Sequence, residues 1–219
     1  MVRLTIDGKV VEAKKGTSIL HAAESVGIKI PTLCYIEDLL PDGSCRMCMV
    51  EIENRGRTKM ETACTAQVGE GLVVTTNSEK VRNARRNILD MLLSNHKTDC
   101  FSCPSNGDCK LQELCFEYGI ERTTYSGEQT ELPIDDSNKF FTYNPNLCIL
   151  CHRCVNTCHK VVGRGAIDTM ERGFDSAIGT PFHIDWADTN CESCGNCVQA
   201  CPTGALTMKR RKNYRKYQI

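Results

Sequence analysis

No run in this sequence of 219 residues reaches the eighteen or so consecutive apolar residues that a membrane-spanning helix needs. Nor does a continuous apolar segment follow Met1. Val2, Leu4 and Ile6 alternate with polar residues there, so a secretory signal is not expected. Net charge is also missing. The 27 Lys and Arg balance the 27 Asp and Glu, which leaves no overall basic field for nucleic acid. No P-loop, G-x-S-x-G or H-E-x-x-H motif occurs, and Gly163-Arg164-Gly165 lacks the third glycine of a dinucleotide fingerprint. These absences predict a cytoplasmic chain with no membrane span, no nucleic-acid partner and no catalytic residue of its own.

What is abundant is cysteine, 16 residues. Such density means either a disulfide scaffold or metal ligation. In a reducing compartment thiols stay reduced and are available as thiolate ligands, so ligation is the expected use.

The chain reads as an α+β protein in several segments. Residues 1–78 carry strand signals: Val2 to Ile6 alternates, Asp7-Gly8 makes a hairpin turn, and Val10-Val11 returns. Ser18 can cap a short helix over Ile19, Leu20, Ala22, Ala23 and Val26, ended by Gly27. Further strands are expected at Met49–Ile52, Lys59–Thr62 and Leu72–Thr75. Residues 79–120 open with a helix from about Glu79 to Ser94, where Val81, Ala84, Ile88, Leu89 and Leu92 recur at helical spacing. A cysteine-rich loop and a short helix around Leu111, Leu114 and Cys115 follow, with Cys115 read as core packing. Residues 121–139 read as a polar linker. Residues 140–208 hold an internal repeat, and 209–219 form a basic tail expected to be solvated or docked on a partner.

The repeat carries the strongest signal. Cys148, Cys151, Cys154 and Cys158 form C-x2-C-x2-C-x3-C, and Cys191, Cys194, Cys197 and Cys201 repeat it before Pro202. Three cysteines at successive short spacing suit the corners of a cubane, while the fourth thiolate points elsewhere. In two-cluster ferredoxins that fourth cysteine ligates the other cluster. The expected sets are therefore crossed. Cys148, Cys151, Cys154 and Cys201 hold one [4Fe–4S] cluster, and Cys158, Cys191, Cys194 and Cys197 hold the second. His159 stands where the first run would normally have proline, which costs loop rigidity but no ligand.

Cys34, Cys45, Cys48 and Cys64 form C-x10-C-x2-C-x15-C. The C-x2-C centre is that of plant-type ferredoxins, with a longer first loop. A β-grasp-like scaffold can hold a [2Fe–2S] rhomb there, and zinc is the competing reading. His96, Cys100, Cys103 and Cys109 form H-x3-C-x2-C-x5-C, which taken alone fits a zinc site of three cysteines and one histidine about as well. Twelve cysteines serve three four-ligand sets. Of the four left over, Cys115 is read as packing, and His96 sits beside the remaining three.

The order of these motifs resembles three families: the small diaphorase subunit of NAD(P)-linked nickel–iron hydrogenases, the N-terminal region of the large iron–sulfur subunit of complex I, and the N-terminal module of iron-only hydrogenases. The resemblance runs from Leu4 to about Met208. Arg172-Gly173-Phe174 and Ile178-Gly179-Thr180-Pro181 also look like segments of hydrogenases and formate dehydrogenases. It implies that His96, Cys100, Cys103 and Cys109 bind a [4Fe–4S] cluster, which makes one [2Fe–2S] and three [4Fe–4S] clusters. It implies a β-grasp [2Fe–2S] domain, a small helical domain whose cluster has one histidine and three cysteine ligands, and a two-cluster bacterial-ferredoxin-like domain. The implied function is single-electron relay between a flavin- and NAD(P)-binding iron–sulfur subunit and a catalytic subunit, a hydrogenase or else a formate dehydrogenase. Ferredoxin and electron bifurcation are among the implied options. A free-standing ferredoxin-like carrier and a zinc-stabilised interaction module are the readings from other classes.

Overall fold

A computed structural model of the chain describes residues 1–126 and 131–209. The described residues divide into two compact units, residues 1–94 with 110–126 and residues 95–109 with 131–209. The expected basic tail lies outside the described residues apart from Lys209.

The first unit is a five-stranded sheet with three helices. Strands β1 (Val2–Ile6) and β2 (Lys9–Ala13) pair antiparallel, as do β3 (Met49–Asn54) and β4 (Arg57–Thr62). Strand β5 (Val73–Thr75) joins the hairpins, parallel to β1 and antiparallel to β3, in the order β2-β1-β5-β3-β4. Asp7-Gly8 and Arg55-Gly56 turn the hairpins with all four residues at positive φ, which matches the twist of the flanking strands. Asp7 also ties the turn to the end of β5, since its carboxylate accepts from the backbone N–H of Thr76, 2.8 Å away.

Alternation puts Leu4, Ile6, Val11, Val50, Ile52 and Val74 on the buried face. Helix α1 (Ile19–Glu24) covers it with Ile19, Leu20, Ala22 and Ala23. The Ser18 side chain caps α1 by accepting from His21 N–H at 3.2 Å. Helices α2 (Glu79–Ser94) and α3 (Lys110–Glu117) complete the unit. Cys115 is buried on α3 with Leu111 and Leu114. Arg85 of α2 is buried and donates to the Met49 carbonyl at 2.7 Å and the Tyr118 hydroxyl at 3.0 Å. One guanidinium thus fastens α2 to the start of β3 and to the residue just after α3.

The second unit has little regular structure. Strands β6 (Phe141–Tyr143) and β9 (Leu206–Met208) pair antiparallel, and β7 (Asp168–Met170) pairs with β8 (Ala177–Gly179). Two short helices, α4 (Arg153–Asn156) and α5 (Asn196–Ala200), follow the paired cysteine loops. Phe141, Tyr143, Leu147, Ile167, Ile178, Trp186, Ala205 and Leu206 form the core, joined by Cys154 and Cys197.

The stretch expected as a linker does more than connect. Thr123 and Thr124 are bound by the Asp90 carboxylate in the first unit, the Thr124 N–H at 2.8 Å. In the second unit the Leu132 N–H donates to Asn146 at 2.8 Å, and Asp135 bridges to Tyr143. These attachments join residues well apart in sequence, which a polar, aperiodic stretch does not reveal.

Candidate iron–sulfur centres

In the first unit the sheet register brings two cysteines together. Cys48 directly precedes β3 and Cys64 closely follows β4. Met49 pairs with Thr62, and the Ala63 N–H donates to the Cys48 carbonyl at 3.0 Å. The two sulfurs lie 3.3 Å apart. Cys34 and Cys45 form the second pair, linked by a hydrogen bond between their side chains. Arg46 at φ 57° turns the loop between Cys45 and Cys48, and the Met47 N–H points at Cys45 Sγ from 3.5 Å. In the Cys34–Cys45 pair the Cys45 thiol holds Cys34 down to about 5, against the opposing effect of burial. In the other, the Cys64 thiol holds Cys48 down to about 7. Cys45 and Cys64 are pushed up as donors to those partners and by burial. The pairs also sense one another, since Cys64 is raised by Cys34 and Cys45 as well. Two adjacent sulfur pairs suit two irons with two thiolates each.

His96, Cys100, Cys103 and Cys109 all lie in the second unit, on the stretch 95–109. His96 is buried, and its Nδ1 has no hydrogen-bond partner. Burial alone pushes its pKa down, so the imidazole is neutral with a free lone pair. A buried polar atom without a partner is rare enough to need a reason, and metal ligation is one. The Cys103 N–H donates to the Cys100 carbonyl at 3.3 Å, which tightens the loop between them. Cys103 packs against the core of the unit. A Cβ on Gly204 would stand 2.8 Å from Cys103 Sγ, so only glycine admits the sulfur there.

The two repeated loops have the same backbone. Leu150 (φ 51°) and His152 (φ 59°) in the first match Ser193 (φ 56°) and Gly195 (φ 77°) in the second. In each, the N–H two residues on donates to the first sulfur. Leu150 does so to Cys148 and Ser193 to Cys191, both at 3.4 Å. His152 and Gly195 then start α4 and α5, which carry the third cysteine of each run. Left-handed turns coil the chain tightly, so that the three cysteines of each run line one pocket.

The fourth cysteine of each run faces away. Cys148, Cys151, Cys154 and Cys201 line one pocket. Cys158, Cys191, Cys194 and Cys197 line another. Burial pushes Cys148 up to about 11 and Cys151 and Cys197 to about 12, with Cys154 also well above its usual value. Cys201 adds to the shift in the first pocket and Cys158 in the second. Cys158 Sγ accepts from the Ala166 N–H at 3.3 Å. His159 is taken up structurally, its Nε2 2.9 Å from the Ile167 carbonyl. Among the described residues, no three His, Cys, Asp or Glu side chains close on the position of a single metal ion. The donor chemistry fits clusters: soft sulfur in quartets, one neutral imidazole, and N–H groups aimed at sulfur.

Two further contributors belong to none of the cysteine motifs. Arg85 donates to the carbonyl of Met49, the residue after Cys48. Tyr143 lines the pocket of Cys148, and its phenol is pushed up by burial and by Cys148, Cys154 and Cys201, so it keeps its proton. The available signal for Tyr143 is its place five residues before Cys148, the spacing at which Trp186 precedes Cys191.

Three family models match the chain in succession. They are a 2Fe-2S iron-sulfur cluster binding domain over 1–79, the NADH-ubiquinone oxidoreductase-G iron-sulfur binding region over 85–124, and the NADH-quinone oxidoreductase subunit 3 ferredoxin-like domain over 139–207. The chain is 44% identical over 209 residues to NADPH-Fe(3+) oxidoreductase subunit alpha of Geobacter sulfurreducens, covering 95% of this chain and 24% of that protein. It is 40% identical over 211 residues to NADP-reducing hydrogenase subunit HndD of Solidesulfovibrio fructosivorans, covering 94% of this chain and 36% of that protein. The chain thus spans about a quarter to a third of these relatives. A chain of the solved NAD+-reducing [NiFe]-hydrogenase in its H2-reduced state superposes with a TM-score of 0.87 at 30% identity, over 95% of this chain and 87% of that one. No helix among the described residues is long and apolar enough to cross a membrane.

Proposed function

We propose a relay role from one premise: this chain belongs to the family of iron–sulfur electron-transfer subunits of NAD(P)-linked hydrogenases and complex I-like oxidoreductases. In this reading Cys34 and Cys45 hold one iron of a [2Fe–2S] cluster, and Cys48 and Cys64 hold the other. His96, Cys100, Cys103 and Cys109 hold a [4Fe–4S] cluster. Cys148, Cys151, Cys154 and Cys201 hold a second, and Cys158, Cys191, Cys194 and Cys197 a third. The three domains follow the segments 1–78, 79–120 and 140–208, and the compartment is the cytoplasm.

Each cluster supplies one-electron storage with little rearrangement. The chain's own residues ligate, exclude water and set potential, and substrate conversion falls to partners. Single electrons pass between a flavin- and NAD(P)-binding subunit and a hydrogen-activating subunit. The observation that carries the reading is the pair of pockets in the second unit, each lined by a cysteine quartet drawn from both repeats. Anaerobic purification on a tag placed on this chain tests it. Flavin-binding and hydrogenase subunits are expected to copurify, and NAD(P)H is expected to elicit reduced-cluster paramagnetic signals. A formate dehydrogenase partner would move the catalytic assignment. A chain recovered alone, with clusters that NAD(P)H cannot reduce, would sink the relay.

The histidine ligand gives a directional prediction. Imidazole is neutral where a thiolate would add a negative charge. One added charge about 4 Å away at an effective dielectric constant near 20 is worth about 4 kcal/mol. Spread over a cluster, that corresponds to a potential shift on the order of 100 mV. His96→Cys is expected to move that cluster's midpoint to more negative values. A potentiometric titration followed by paramagnetic resonance that shows no change or a rise refutes it.

A further inference from the structure

The two cluster loops of the second unit share their backbone turns, which makes a difference in the aromatic that precedes each of them readable. Each has the same left-handed turns, and each first cysteine accepts an N–H from the residue two positions on, at 3.4 Å. Five residues before each run stands an aromatic, Tyr143 in one case and Trp186 in the other. Tyr143 lines the pocket of Cys148, Cys151, Cys154 and Cys201. Trp186 lines the pocket of Cys158, Cys191, Cys194 and Cys197. The two rings stack on each other, centroids 5.3 Å apart and planes 28° apart. Phe141 packs edge-on against Trp186 at 5.1 Å.

The tyrosine ring is therefore held in place by the stack, and its exposure is only 5%. Its hydroxyl is buried and has no hydrogen-bond partner. A buried hydroxyl left unpaired is costly. It shares its pocket with the sulfurs of Cys148, Cys151, Cys154 and Cys201, and of these Cys148, the first ligand of the run, acts on the phenol most strongly. A thiolate within a cluster is an acceptor with lone pairs to spare, whereas the hydroxyl needs one.

We propose that the Tyr143 hydroxyl donates a hydrogen bond to the Cys148 sulfur of the assembled cluster and holds that cluster's potential above the value its buried pocket would otherwise give. This deepens the relay reading and rests on it. Burial in a dry pocket disfavours the reduced cluster, which carries one more negative charge. A donor aimed at a ligand sulfur stabilises that charge. On reduction the cluster takes one electron, and the proton stays on the tyrosine oxygen. Trp186 has no hydroxyl, so the O–H to sulfur contact proposed here is particular to the Tyr143 pocket.

Tyr143→Phe in the full chain removes one oxygen and keeps the ring stacked on Trp186. The expected result is a more negative midpoint for one of the two ferredoxin-type clusters, with the other unchanged. The affected cluster is identified as the one that survives Cys158→Ala. An unchanged midpoint, a rise, or an equal shift of both clusters overturns the proposal. Should the variant fail to load iron, fluorotyrosine incorporated throughout the chain makes the phenol a stronger donor without altering packing. The same cluster should then become less negative relative to its neighbour, and no relative shift overturns the proposal. Absence of cubane signals in the parent chain is a different failure, that of the relay reading itself.

Discussion

Cys158→Ala is expected to abolish the cluster held by Cys191, Cys194 and Cys197 and to spare the one held by Cys148, Cys151 and Cys154. The residue lies at the end of the first run, yet its sulfur lines the pocket of the second. Its partner in the exchange, Cys201, lines the pocket of the first. The geometry explains why. The third cysteine of each run sits on the first turn of a short helix, and the chain then rises one further turn before the fourth. That turn carries the sulfur across to the neighbouring site. An alanine leaves three thiolates for a four-ligand cluster, so conversion to a three-iron species or full loss is expected. Spectroscopy that finds the Cys148 cluster damaged and the Cys191 cluster intact would reverse the ligand assignment.

The second large effect is on folding. Removing iron is expected to unfold most of the second unit while the first keeps its sheet. The first unit has a conventional interior of Leu4, Ile6, Ile19, Val50, Ile52 and Val74, all essentially buried. The second has strands of three residues and a core completed by cysteines. There, ligand-to-metal bonds take the place of much apolar packing, and cluster binding energy becomes folding energy. Amide hydrogen exchange on the chelated and loaded chains measures this. Protection should vanish across residues 140–208 on iron removal and persist in β1 and β3. Equal protection in both states would refute it.

The same thiols give a pH dependence. Without clusters, burial keeps Cys148 protonated up to about 11 and Cys151 and Cys197 up to about 12. Ligation requires thiolates, so loading at pH 7 should release protons and become more favourable as pH rises toward 9. The sign is opposite for the empty fold. Any stability from burying neutral thiols is present below their ordinary pKa and is lost as pH rises through 11 to 12. Proton release measured in a weakly buffered reconstitution checks the first statement.

Local signals in the sequence read well. Asp7-Gly8 turns the first hairpin because both residues accept positive φ, and Ser18 caps α1 because its hydroxyl reaches the third N–H. The bounds of α2 follow from its apolar spacing. Ligand candidates were legible because coordination demands particular residues at particular spacing. What stayed hidden depends on contacts across long sequence distances. The grip of Arg85 on Met49, the docking of 131–139 beside Asn146, and the hydroxyl of Tyr143 in a cysteine pocket have no local signature. Leu150 at positive φ is likewise invisible locally, since leucine does not advertise a left-handed turn.

Iron, zinc and acid-labile sulfide analysis of the anaerobically isolated chain tests the central claim most directly. The account predicts a brown protein with iron and sulfide in equal amounts, in the proportion of one two-iron to three four-iron clusters, and negligible zinc. A colourless protein that holds zinc and no sulfide would contradict it.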